Sequence, residues 1–225
     1  MYGAGYRYRL SPQFAPPYRA YRIAAMLRAR KRYDVAYFRS MQMDTLSIPE
    51  RELAQYVREL RSWDGRFTPG SSDATAAFDL RQQLVKQREG LMRGVLAARD
   101  EPGIVATLTL PASPKPWGTA GAVTVTHPLG ALGLAFLNGT RFAGDGDAYT
   151  VHVQNSGFSQ SFRAVWDVGN WDAGGITIPQ GESGEPGSKH YTDEAAGWVA
   201  GRLFALPYSD AAVRAATVEL QMLQP

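Results

Sequence analysis

The stretch GGITIPQGESGEPGSKHYTDEAAGW, Gly174 to Trp198, crowds turn residues and polar groups between an apolar, β-branched run and a helical one. Ile176 to Ile178 reads as a strand and Glu194 to Gly201 as a helix, so the residues between them must turn the chain from one to the other. The glycines, Gly181 and Gly184 among them, are read as positions where positive φ carries no steric cost. Pro179 and Pro186 fix their own φ. The polar side chains of Gln180, Ser183, Ser188, His190, Tyr191 and Asp193 are therefore expected on a compact, definite loop. Binding loops look like this, and so do rigid corners.

Working outward, the second half of the chain has the period of β structure. Val123 to Thr126, Leu132 to Leu137, Tyr149 to Val153 and Phe162 to Val168 are short apolar or alternating runs, separated by signals such as Asn138-Gly139 and Gly144-Asp145-Gly146-Asp147. Ile104 to Leu110 alternates as well, before the proline-rich link PASPKPWG, and Thr217 to Leu223 suggests a last strand. The first half is helical instead. A helix is expected from Tyr18, after Pro16 and Pro17, with Ile23, Met26 and Leu27 on one face; a second follows the N-cap Asp34. Ser47 with Glu50 three residues later reads as a capping box, opening a helix whose Leu53, Val57 and Leu60 share a stripe and which Gly65 ends. Ser71 to Asp73 caps a longer helix with Ala77, Leu80, Leu84, Leu91 and Val95 at helical spacing as far as Arg99. The expected class is α+β: a helical segment over 1–102, then a mainly antiparallel β-rich segment over 103–225 that closes with a short helix and a strand.

A chain of 225 residues with 44% hydrophobic content can bury a substantial core. The absence of cysteine excludes disulfides, thiolate nucleophiles and thiolate zinc sites, and leaves the compartment open. No run reaches the roughly eighteen apolar residues of a membrane span, and MYGAGYRYRLSPQFAPPYRA lacks the apolar core of a signal peptide. The net charge of +3 hides an asymmetry: residues 1–40 hold nine Lys or Arg against Asp34, a net +8, which leaves −5 for the remainder. Arginines interleaved with Tyr6, Tyr8, Tyr18, Tyr21 and Tyr33 are compatible with a nucleic-acid surface. They equally describe an arginine-rich helix docked on an acidic partner or on the same protein, which needs no second molecule.

Few residues offer chemistry by pattern. His127, His152 and His190 are the three histidines, and their spacing makes no metal site. Ser183, His190 and Asp193 have the residue types of a nucleophile, its base and an orienting acid. They lack a nucleophile elbow, however, and lie so close in sequence that they are expected to satisfy one another and the loop backbone. The segment GDGDAY from Gly144 lacks the spaced ligands and distal Glu of a calcium loop, so a tight hairpin is expected.

Four motifs stand in order in the second half: Ser161-Phe162-Arg163-Ala164-Val165-Trp166-Asp167, Gln180-Gly181-Glu182-Ser183-Gly184, Ser188-Lys189-His190-Tyr191-Thr192-Asp193, and Trp198 with Gly201. Phe14 to Ile23, Gln42-Met43-Asp44, Trp63-Asp64-Gly65 and Trp117-Gly118 precede them. With this ordered set the chain resembles the C-terminal part of the penicillin acylase (penicillin amidase) family. The resemblance implies an N-terminal-nucleophile hydrolase with an αββα sandwich. In such an enzyme a precursor cuts itself to expose a serine, whose freed α-amine acts through water on the serine hydroxyl while an asparagine side chain and backbone groups hold the oxyanion. Neither the nucleophile nor a processing junction is found in this sequence, so no catalytic residue is assigned to it. The nucleophile is expected from a preceding part of the same precursor, which is also the expected partner. Arg19 corresponds to a family arginine near the active site. Gln13 stands where the family has an aspartate that ligates calcium, which argues against a metal in this chain, and no other cofactor is implied; Glu182 replaces a usual glutamine. The loop residues Gln180, Gly181, Ser183, Gly184, Ser188, His190, Tyr191 and Asp193 are implied to fix the loop rather than to catalyse. The implied substrate is a small N-acyl compound, a β-lactam or an acyl-homoserine lactone. The implied location is the periplasm or the exterior, with no nucleic acid or membrane span involved. The alternative is a non-catalytic binding or assembly module descended from the same family.

Overall fold

The computed structural model describes residues 7–8, 15–87, 103, 106–157, 159–220 and 222. Gln13 and Phe14, the first residues Ile104 and Val105 of the expected strand, and the far end of the expected long helix with Leu91, Val95 and Arg99 lie outside them.

The helices of the first half begin where capping chemistry places them. Helix α1 (Tyr18–Arg28) starts directly after Pro17, and α2 (Val35–Gln42) is capped by Asp34, whose carboxylate accepts from Tyr37 N at 2.7 Å. Helix α3 (Ile48–Ala54) follows Ser47, but the expected capping box does not form. The Ser47 hydroxyl binds the Glu50 carboxylate itself rather than a helix N–H. A 3₁₀ turn at Arg58–Leu60 then divides the expected single helix, and its apolar stripe is kept across the break, with Leu53, Val57 and Leu60 all buried. Helix α4 (Ser72–Gln87) packs on α3, and Ser71 accepts from Ala74 N at its start. These helices bury one core of Leu53, Leu60, Phe67, Ala77, Leu80 and Leu84, and Trp117 from helix α5 (Trp117–Ala120) completes it. Phe67 stands edge-on to Trp63 and to Trp117, with centroids 5.5 and 5.0 Å apart.

The second half carries short antiparallel pairings: β1 (Val123–Thr124) with β2 (Arg141–Phe142), β3 (Asp145–Gly146) with β4 (Val153–Gln154), and a sheet ordered β5 (Arg163–Val165), β6 (Gly175–Thr177), β7 (Phe204–Ala205). The chain is α+β. Several expected strands differ. Leu132 to Leu137 forms parts of two 3₁₀ turns, Pro128–Leu132 and Ala135–Leu137, joined through Gly133 at φ +94°. Residues 106–110 are turn and coil. Gly144 to Asp147 is not a tight hairpin: Gly146, at φ +75°, ends β3, and the reversal runs through Asp147 to His152. A Cβ on Gly146 would collide with the His152 carbonyl, so this position needs glycine twice over. Helix α6 (Ala195–Val199) is found where expected. The expected terminal strand is not, for 217–220 is irregular and is preceded by helix α7 (Asp210–Ala216), capped by Ser209. The β-branched residues of that run are Thr217 and Val218, and Val218 is fully exposed, with no strand pairing among the described residues.

The two halves interlock. Gly146 N donates to Phe67 O at 2.7 Å, His152 N to Asp44 O at 2.9 Å, and Trp117 N to Ser71 O at 2.9 Å. Arg39 reaches Gly201 O, and Gln42 Nε2 caps the Ala164 carbonyl on the outer edge of β5. No helix among the described residues is long and apolar enough to cross a membrane.

Candidate functional site

Arg19 lies on the first turn of α1, directly after Pro16 and Pro17, with Pro17 at the helix N-cap and its φ fixed at −83°. Its guanidinium donates to Ala148 O at 2.8 Å. Arg19, Pro16, Pro17, Tyr21, Arg28 and Tyr149 line an open groove of about 1020 Å³ with largely apolar walls. The preceding side chain, Tyr18, points the other way, is buried, and meets the edge of Tyr149 at 5.5 Å. Burial raises the Tyr18 phenol above its ordinary value, and Glu52 adds to the effect. The groove is therefore a basic, partly apolar hollow beside the reversal that carries Ala148 and Tyr149.

That reversal is held from inside the protein. Arg81 pairs with two carboxylates, its Nη2 lying 2.9 Å from Asp147 Oδ2 and its Nε 2.5 Å from Glu50 Oε1. All three are buried. The Arg81 guanidinium also lies over the rings of Phe78 and Tyr149, at 4.9 and 4.8 Å. Burial pushes the Glu50 carboxyl from 4.5 up to about 7; Arg81 opposes this and Asp147 reinforces it. A second anchor sits next to it. Asp44 accepts from Arg22 at 2.7 and 2.8 Å and from Arg66 at 3.1 Å. Burial alone would raise the Asp44 carboxyl, but the two guanidiniums outweigh it and hold it below its usual range.

The loop of residues 178–194 is tied mostly to itself and to its neighbour at 137–140. Gln180 Oε1 accepts from Thr140 N at 3.1 Å, Gln180 O accepts from Glu194 N at 2.8 Å, and the Tyr191 hydroxyl donates to Leu137 O. Ser183 N donates to His190 O at 3.0 Å, and the Ser188 hydroxyl accepts from His190 N. The structure brings His190 and Asp193 together, Nδ1 to Oδ2 at 2.7 Å, with side chains 56% and 44% exposed. It does not add the serine, since the Ser183 hydroxyl accepts from Glu185 N. A solvated His-Asp pair without its nucleophile is no triad. None of the glycines in this loop has positive φ; Gly181 is required by close approach, for a Cβ there would strike the His190 carbonyl oxygen. Gly184 has open space around it.

The sequence reading missed the buried ions. Arg81 left a legible signal, because Ala77, Arg81 and Leu84 share one helical stripe and a cation there must find a buried partner. Its partners Glu50 and Asp147 were not legible, since one looked like a cap and the other like a turn residue. Of the nine basic residues in 1–40, Arg19, Arg22 and Arg39 bond to the protein itself, while Arg28, Lys31 and Arg32 are exposed. No group of three or more potential metal ligands occurs among the described residues, and Gln13 is outside them.

The profile of the penicillin amidase family matches residues 1–215. The chain belongs to the penicillin amidase family. It is also similar to the penicillin acylase 2 proenzyme of Pseudomonas sp. (strain SE83), with 29% identity over an alignment of 280 positions that covers 93% of this chain. The chain spans 36% of the length of that curated relative. In this member of the penicillin amidase family, the signpost tryptophans Trp63, Trp117 and Trp198 are all core residues, and the signpost Asp44 is the acceptor of the Arg22 and Arg66 pairs.

Proposed function

We propose that this chain is the C-terminal portion of a penicillin-amidase-type amidohydrolase, part of one larger αββα domain whose nucleophile lies in a preceding segment of the same precursor. The observation that carries the reading is the family match over 1–215 together with a span of only 36% of a relative named as a proenzyme. The reaction is hydrolysis of the amide bond of a small N-acyl compound, a β-lactam or an acyl-homoserine lactone. The chain contributes Arg19, a fixed cation at the mouth of an apolar groove, close to where the substrate amide is cleaved. A cation held there by a backbone carbonyl needs no rearrangement to orient an anionic or polar substrate group. The loop residues from Gln180 to Asp193 tie the last sheet to α6 and take no part in the chemistry; no cofactor or calcium is needed from this chain.

The test uses chromogenic N-acyl amides. The 225-residue chain alone shows no turnover, and the chain joined to its upstream segment does. In the joined protein, Arg19→Ala lowers kcat/KM by about 10²-fold, the scale for a misplaced positioning group, and Ser183→Ala leaves it unchanged. Turnover by the chain alone that survives Arg19→Ala and vanishes in Ser183→Ala overturns the reading.

A further inference from the structure

The sheet β5–β6–β7 has its polarity reversed. An antiparallel sheet that covers a core on one side and meets water on the other puts apolar residues inward and polar residues outward. Here the inward face of β5 and β6 carries Arg163, 3% exposed, and Thr177, fully buried, beside Val165. Arg163 is enclosed by the helical elements: it donates to Met43 Sδ at 2.7 Å and to Trp198 O, and lies 4.7 Å over the Trp198 ring. The opposite face is apolar from edge to edge. Ala164, Ile176 and Phe204 form one row across the three strands. Strand alternation sets Phe162 and Trp166 on the same side, about half exposed at 49% and 51%. Leu206 continues it, opposite Gly174, and Val168, Trp171 and Tyr208 adjoin it in the open. Gly197 of α6 passes the edge of the Phe204 ring, and Phe204 remains 43% exposed.

We infer that this face is a docking surface for the preceding segment of the same precursor, which lays an apolar layer over Phe162, Trp166, Ile176 and Phe204. The inference rests on the reading that this chain is a C-terminal portion. Three arguments select that occupant. The relative extends well beyond the matched part, since the chain spans only 36% of it, so the family supplies a large body of chain to do the covering. A face with its arginine inside and its aromatics outside has the apolar character of a permanent interface rather than a transient one. A segment in the same polypeptide is present from synthesis at high effective concentration, whereas a second copy must be recruited.

The chain contains no cysteine, so single cysteines report one site each. Phe162→Cys and Val168→Cys on the face, and Gln55→Cys on the helical half, are labelled with a maleimide in the 225-residue chain and in the chain joined to its upstream segment. The expected result is labelling at least about tenfold slower at 162 and 168 in the joined protein, as for sites opened only by fluctuation, with 55 unchanged. Trp166→Glu is the second variant: circular dichroism of the chain is preserved, and capture of the upstream segment supplied as a separate chain is lost. Equal labelling of the face in both forms overturns the inference, as does equal slowing at all three sites. Protection in the chain alone that disappears on dilution also overturns it and identifies a second copy as the occupant. Amide turnover is followed in parallel. Protection without turnover keeps the interface and rejects the catalytic reading; turnover with a freely labelled face does the reverse.

Discussion

Glu50 shows how a single side chain was read by its neighbours in sequence and decided by its neighbours in space. Three residues after Ser47, it has the spacing of a capping box, yet it is drawn into the interior toward Arg81. Its carboxyl, pushed up to about 7 by burial, holds a proton in the folded chain that the unfolded chain has released above about 4.5. The contribution of Glu50 to stability is therefore full below about 4.5 and lost as pH rises through about 7. Glu50→Gln is expected to flatten the pH dependence of the urea midpoint across that window, and an unaltered slope would count against the assignment. Asp44 has the opposite sign: held low by Arg22 and Arg66, it contributes above its unfolded value and loses that contribution as pH falls. Gly181 was legible as a required glycine, though for a different reason. The expectation was positive φ, and the cause is contact with the His190 carbonyl, which no local rule reports.

At the scale of elements, caps were read reliably where the partner is local. Asp34 and Ser71 bind N–H groups three residues on, within one turn, and α2 follows Asp34 as expected. Asp34→Ala is expected to cost about 1 kcal/mol of stability, measured by denaturant unfolding, because one helix-terminal N–H loses its acceptor. Strands were read less well. Apolar run length called for strands at Leu132 to Leu137, where 3₁₀ turns stand instead, and at Thr217 to Leu223, whose residues 217–220 are irregular. Pairing is not a property of a segment, and a run with no partner at the right distance cannot become a strand however β-branched it is. The reversal from Asp147 to Thr150 makes the same point, since buried Arg81 holds it from another element.

For the whole molecule, the helical and β-rich segments share hydrogen bonds and one core residue, Trp117, so they are expected to unfold in a single transition. Far-UV circular dichroism and tryptophan fluorescence should give coincident urea curves; two separated transitions would show independent halves. The residues by themselves determined the class, the order of helices before strands, the starts of α1 and α2, and the compact loop between β6 and α6. Each of these follows from short-range chemistry: a fixed proline φ, a side-chain cap, the period of apolar residues. They also carried the ordered signposts by which the family was recognised. Tertiary structure alone decided which polar residues are buried together, that Ser183 stands apart from the His190 and Asp193 pair, and that the last sheet turns Arg163 inward and Trp166 outward. The physical reason is common to all three. Burial, charge pairing and sheet polarity depend on groups distant in sequence, and their energies exist only once the fold has excluded water between them.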